Sequence, residues 1–318
     1  MVPIVFTAIA ALAVTVHASN AAQVSYYDVP SGAHPHDVAP APDGKVWYTA
    51  QSQGALGLLD PKTGKVEQIM LGPDSAPHGV IVGPDRAAWV TDGGQNAIAR
   101  VDPATKAVKL FPLPSDFPNA NLNTATFDAK GILWFTGQNG MYGRVDPSTG
   151  KVDAWKAPKG VGPYGITTTP KGDVWYASLA GDHIAKIDTV SGDAMMVAPP
   201  RAGVNPRRVW SDSKGMIWAS FWTTGEVGRY DPSGKSWKVW PLPKSRSGAY
   251  AVYVDGQDKV WLTDFTANAI VRFDPESEKF ESFASSRPYA SVRQLLGRPG
   301  EIWGAESGID RLVVVRER

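Results

Sequence analysis

Residues Pro77 to Pro103, PHGVIVGPDRAAWVTDGGQNAIARVDP, decide the fold. An apolar run closes at Gly-Pro-Asp, Ala-Trp-Val-Thr-Asp follows, and a Gly-Gly-Gln-Asn turn leads into Ala-Ile-Ala-Arg-Val, which stops at Asp-Pro. Alternation with period two between Gly, Pro, Asn and Asp punctuation is the pattern of short antiparallel strands, not of helix. In this unit strands are expected over Gly79 to Val82, Ala87 to Thr91, Ala97 to Val101 and Ala107 to Phe111. Outward from it the same grammar returns until there are seven units. Their tryptophans are Trp47, Trp89, Trp134, Trp175, Trp218, Trp261 and Trp303, at intervals of 42, 45, 41, 43, 43 and 42 residues. The Asp-Pro stop recurs at Asp60, Asp102, Asp146, Asp231 and Asp274, and at Asp188 without its proline.

Four-stranded units repeated every ~40 to 45 residues predict an all-β seven-bladed propeller with four antiparallel strands per blade, one domain over residues 23–318. The evenly spaced tryptophans are expected as core between blades. After Leu312 to Arg316 the last unit is one strand short, while Ser25 to Pro30, SYYDVP, resembles the outer strands at Val108 to Pro112 and Trp237 to Pro241. The N-terminal strand is therefore expected to complete the last blade and close the ring, which removes two exposed edges.

A hydrophobic fraction of 43% with 12 Trp, 10 Tyr and 10 Phe supplies a packed interior. The formal net charge is +1, and its 32 basic and 31 acidic residues are dispersed, so no nucleic-acid footprint is present. The absence of cysteine excludes disulfides, thiolate metal sites and cysteine nucleophiles. Residues 1–22 carry no Asp, Glu, Lys or Arg and hold an apolar run from Ile4 to Val16 followed by small residues. They are expected to be a signal peptide, cleaved after Ala18 or Ala21, that exports the chain to a periplasm or outside the cell. The run is short of the ~20 residues of a span. A monomer with no membrane span after cleavage is expected.

In a propeller the start of each unit's first strand lies near the central channel. Counting 11 residues back from the first six tryptophans gives His36, His78, Asn123, Tyr164, Arg207 and Tyr250. A shorter turn in the seventh unit places Arg293 there. Every member is polar or aromatic. The histidines are candidates for acid and base near neutral pH, or for caps on neighbouring turns. The arginines are candidate clamps for an anion, and the tyrosines candidate walls or plugs. His34 adds an imidazole nearby.

At these residues the chain resembles the virginiamycin B, or streptogramin, lyases. The likeness rests on PHDVAPAPDGKVWYT, PYGITTTPKGDVWYA and VWLTDFTANAIVRFD and covers residues 25–316. It implies a seven-bladed propeller whose enzymatic members linearise a cyclic depsipeptide antibiotic by elimination at its ester, with Mg²⁺. It also implies a His at the second position of Pro-His-x-Ile/Val in each of the last two blades, with an acid two residues before the second His and another after that blade's tryptophan. Here those positions hold Tyr250, Arg293, Ser291 and Glu306. A histidine pair in consecutive blades exists instead at His36 and His78, with Asp92 three residues after Trp89 and Ala76 two before His78.

Three functions stay open. A carbon–oxygen lyase opening a cyclic depsipeptide or lactone ester would use His36 and His78 as acid and base, with Asp92 and Glu306 as Mg²⁺ ligands. A non-catalytic exported binder would hold a small anionic or peptide ligand in the channel, with Arg207, Arg208 and Arg293 as clamps and Tyr164 and Tyr250 as walls. A calcium-dependent lactonase would need several oxygen ligands on the axis, where the ring offers Asn123 alone.

Overall fold

The computed structural model describes residues 22–243 and 248–317, so the expected signal segment lies outside the described residues except for Ala22. Those residues form 28 strands, in seven antiparallel sheets of four. The first strands of the blades are β2 (Pro35–Pro40), β6 (Pro77–Val82), β10 (Leu122–Phe127), β14 (Pro163–Thr168), β18 (Pro206–Ser211), β22 (Ala249–Val254) and β26 (Val292–Arg298). Each touches the first strand of the next blade, and β26 touches β2, so the seven line a central axis. In the second blade the other strands run Ala88–Asp92, Ala97–Val101 and Val108–Pro112, within two residues of expectation.

The ring closes as expected. Strand β1 (Gln23–Asp28) pairs antiparallel with β28 (Arg311–Arg316), from Gln23 opposite Arg316 to Asp28 opposite Arg311. It begins two residues earlier than expected and ends at Asp28. There the chain turns, and both Gly32 and His34 donate their amides to the Asp310 carboxylate. Tyr26 lies under the Arg311 guanidinium, 3.9 Å from the ring centroid, which ties the added strand to its neighbour.

All seven tryptophans are fully buried. Trp47 packs with Val80, Ala88 and Val90 of the following blade, as a residue between blades should. By area each such indole contributes about 4 to 6 kcal/mol. The turn acid before the tryptophan has a second use: Asp85, Asp128, Asp212 and Asp255 accept the indole N–H of Trp89, Trp134, Trp218 and Trp261 at 2.7 to 3.1 Å. The Asp-Pro stops work locally. Asp60, Asp102, Asp146, Asp188, Asp231 and Asp274 each accept the amide two residues on, which fixes the turn between third and fourth strands. No helix among the described residues is long and apolar enough to cross a membrane.

Candidate functional site

In all seven blades the pairing of first and second strands shifts register just after the first residue. Such a bulge re-aims the residue inside it. That residue is His36, His78, Asn123, Tyr164, Arg207, Tyr250 or Arg293, the seven expected by counting. A hydroxyl on the second strand then locks the bulge to the next blade. Thr49 accepts the Asp37 amide at 3.0 Å and donates to the His78 carbonyl at 2.9 Å. Thr91 does the same between Gly79 and Asn123. Ser220 links Arg208 to Tyr250.

The side chains converge into one network. His36 and His78 lie with ring centroids 3.8 Å apart. His36 Nδ1 donates to Asp37 Oδ1 at 2.8 Å, which leaves Nε2 to accept the Tyr250 hydroxyl at 3.3 Å. The Tyr164 hydroxyl then donates to Tyr250 at 2.7 Å, and Arg207 Nη2 donates to Tyr164 at 2.8 Å. At the far end Arg208 braces Asp37, Nη2 to Oδ1 at 3.2 Å. His78 is held wholly by Asn123: its Nδ1 donates to the backbone carbonyl at 3.1 Å and its Nε2 accepts the side-chain amide at 3.2 Å. The Asn123 amide is oriented in turn by Thr124, whose hydroxyl donates to its oxygen.

The electrostatics follow from burial beside three guanidiniums. Burial, then Arg293, Arg208 and Arg207, hold His36 well below the usual imidazole value, so it is neutral at pH 7. Burial and the neighbouring His36 do the same to His78. Burial pushes Asp37 up, with Arg208 pulling the other way. For Tyr250 burial also works against ionisation, but Arg207, Arg208 and Arg293 outweigh it and bring the phenol below its ordinary value. Burial and Tyr250 push Tyr164 up. Of the paired phenols, Tyr250 gives up its proton first.

Arg207 and Arg293 are half-buried, and neither forms an ion pair among the described residues. Arg207 stacks 3.8 Å from the centroid of Tyr250 and 4.5 Å from those of Tyr164 and Trp222, and its Nε has no partner. Arg293 lies 5.9 Å from the Tyr250 centroid and donates Nε to Ser307. Two cations thus flank one phenol.

His36, Asp37 and His78 bring their ligand atoms within 4.8 Å of one another, a spacing that can hold a cation. Two imidazoles and one carboxylate already engaged by Arg208 and His36 are a nitrogen-rich set, whereas Mg²⁺ demands oxygen. The structure does not bring Asp92 and Glu306 into this trio. Both end second strands, opposite Pro77 and Val292. Asp92 accepts the amides of Ala76, Gly94 and Gln95 and the Ser75 hydroxyl, so it locks its own loop. Glu306 is buried against Arg311 and accepts the Ser285 hydroxyl. The residues present do not fit Mg²⁺. His34 sits exposed on a turn outside the ring.

Sequence reading missed Asp37 and the locking hydroxyls. The signal was available: an acid beside a ring histidine in Pro-His-Asp-Val, and a Thr or Ser two residues after five of the seven tryptophans.

No curated protein matches the chain. Among solved structures, virginiamycin B lyase from Staphylococcus aureus superposes with a TM-score of 0.86 at 20% identity, over 94% of this chain and 100% of that one. A catalytically inactive histidine-to-alanine variant of that enzyme with quinupristin gives the same values. YCF48 bound to a D1 peptide gives a TM-score of 0.75 at 14% identity, over 93% and 97%. At these identities the likeness speaks for the fold. The sequence profile described as Virginiamycin B lyase family matches residues 65–318, four-fifths of the chain. Seven blades, a polar residue at the second position of every first strand and this match lead to one assignment: the chain belongs to the virginiamycin B lyase family.

Proposed function

We propose that the ring is the active site of a carbon–oxygen lyase that opens a cyclic depsipeptide or lactone ester by elimination, with Tyr250 in place of a histidine base and arginine in place of Mg²⁺. The observation that carries the reading is Tyr250, between Arg207 and Arg293 and hydrogen-bonded to Tyr164 and His36. It stands where the resemblance puts a family histidine. As phenolate it would take the proton from the carbon next to a carbonyl. The electron pair forms a C=C bond while the ester C–O bond breaks and a carboxylate leaves. Negative charge that builds on the carbonyl oxygen meets Arg207 and Arg293, which no carboxylate neutralises. His36 and His78 act as neutral partners: His36 orients the phenol, and His78 packs against His36. The charge-free segment 1–22 supports export, which N-terminal sequencing of protein from its native cell tests.

Elimination leaves the mass of a cyclic ester unchanged and creates a conjugated double bond, whereas hydrolysis adds one water. Mass spectrometry and near-ultraviolet absorbance of a cyclic depsipeptide incubated with the protein distinguish the two. Tyr250→Phe should lower turnover by about 10² to 10⁴, the usual worth of a general base, with folding intact. Full activity in Tyr250→Phe overturns the assignment.

One observation favours a second reading, a non-catalytic binder of a small anion or peptide. All four imidazole nitrogens already have protein partners, and the half-buried arginines are the ring's most accessible members. Under it, Arg207→Ala and Arg293→Ala weaken a carboxylate ligand while no ester is turned over.

A further inference from the structure

The ring occupies only one level of the channel. On the side toward which the first strands run, the axis holds a cavity of about 460 Å³ lined by third and later residues of those strands, by Gly83 and Pro84 just beyond one of them, and by none of the seven ring residues. Protein interiors leave few voids larger than a water molecule, and small-molecule sites measure roughly 300 to 1,000 Å³. We propose that this cavity is a second binding site, for a small molecule with an apolar body of aromatic size and a single carboxylate head. The proposal is independent of any chemistry at the ring.

The walls set the body. Val80, Ile166, Val209 and Leu295 line the cavity and are all apolar. Toward its mouth Trp210 and Tyr253 meet edge to face with centroids 4.9 Å apart, both half-buried, and exposed Pro84 lines the cavity from the second blade. That lip suits the edge or face of a ring.

The closed end sets the head. It is made by Asp37, Thr124, Arg208 and Gln294, each more than nine-tenths buried. The Asp37 carboxylate is taken by His36 and by Arg208, so no acceptor there is idle. Two donors are. Arg208 spends Nη1 on Thr124 and Nη2 on Asp37, and its buried Nε has no partner. Gln294 accepts the Val38 amide through Oε1, and its NH₂ meets no acceptor among the described residues. Arginine and amide N–H groups can only donate, so the missing group is an acceptor. A carboxylate supplies two oxygens and brings no proton that would itself need a partner.

The test uses the full chain and two probes of one shape, 3-phenylpropanoate and 3-phenylpropanamide, titrated by calorimetry. The carboxylate should bind one to one and at least tenfold more tightly than the amide. Val82→Trp, at a half-buried position of the lining, should abolish binding. Arg207→Ala, outside the cavity, should leave it within twofold. If Val82→Trp does not fold, Leu296→Phe serves the same purpose from the seventh blade. No binding of either probe, equal binding of both, or binding that survives the filled cavity overturns the proposal. Binding lost in Arg207→Ala overturns it too, because the carboxylate would then lie at the ring.

Discussion

Tyr250 and Glu306 show how far a residue's partners decide its role. With Tyr250 as base, activity requires the phenolate. Turnover should rise with pH above neutral, at lower pH than an ordinary phenol would give, because the flanking arginines outweigh burial and lower its pKa. A histidine base would instead give a profile that falls with acid near pH 6.5. His36 and His78 are both held well below that value, so neither supplies such a limb. The pH–rate profile from pH 5 to 10 decides between them. Glu306, an acid in the right place to ligate a metal, is the partner of a buried arginine. Glu306→Gln leaves Arg311 buried without its counter-charge and should cost about 3 kcal/mol, read from the denaturant midpoint. Added Mg²⁺ should change neither turnover nor that midpoint.

At the scale of the strand, the ring side chains are placed by hydroxyls that never reach the axis. Thr91 serves Gly79 N–H in its own blade and Asn123 C=O in the next. Thr91→Val keeps the shape and orphans the Gly79 N–H in the interior, while the Asn123 C=O is left with the His78 Nδ1 bond alone. At about 1 to 3 kcal/mol for an unsatisfied buried group, a loss of about 1 to 3 kcal/mol is expected in equilibrium unfolding. The His78–Asn123 contact should loosen with it. Blades four and seven carry Ala177 and Ala305 at this position. At the latter joint Gln294 bonds the Val38 amide, which links the last blade to the first. Strand β1 completes that joint. Removal of residues 22–28 should expose the β28 edge, and the protein should unfold at lower temperature and aggregate.

For the whole molecule, two neutral imidazoles on the axis make stability depend on pH. The unfolded chain takes up protons on His36 and His78 as pH falls through about 6.5, whereas the folded chain takes them up only further down. The unfolded state therefore binds more protons in that window, and stability falls toward acid by up to about 1.4 kcal/mol per pH unit per histidine. Asp37, raised by burial, binds its proton more readily when folded and acts in the opposite sense below its own pKa. Urea titrations at pH 7 and 5.5 should show the loss, and His78→Gln should reduce it. Blade number, the level of the ring and the strand that closes it were all legible in the chain, because each repeat writes its turns, its tryptophan and its bulge residue at fixed offsets. Even the small errors at strand ends lie where turn and strand share residues. The sequence could not say that Tyr250 reaches His36 across 214 positions, or that Arg208 spans 171 to meet Asp37. Nor could it say that Asp92 spends its oxygens on its own loop. Repeats fix where a side chain starts, but burial and charge at the axis are sums over seven blades, and only the closed ring brings those blades together.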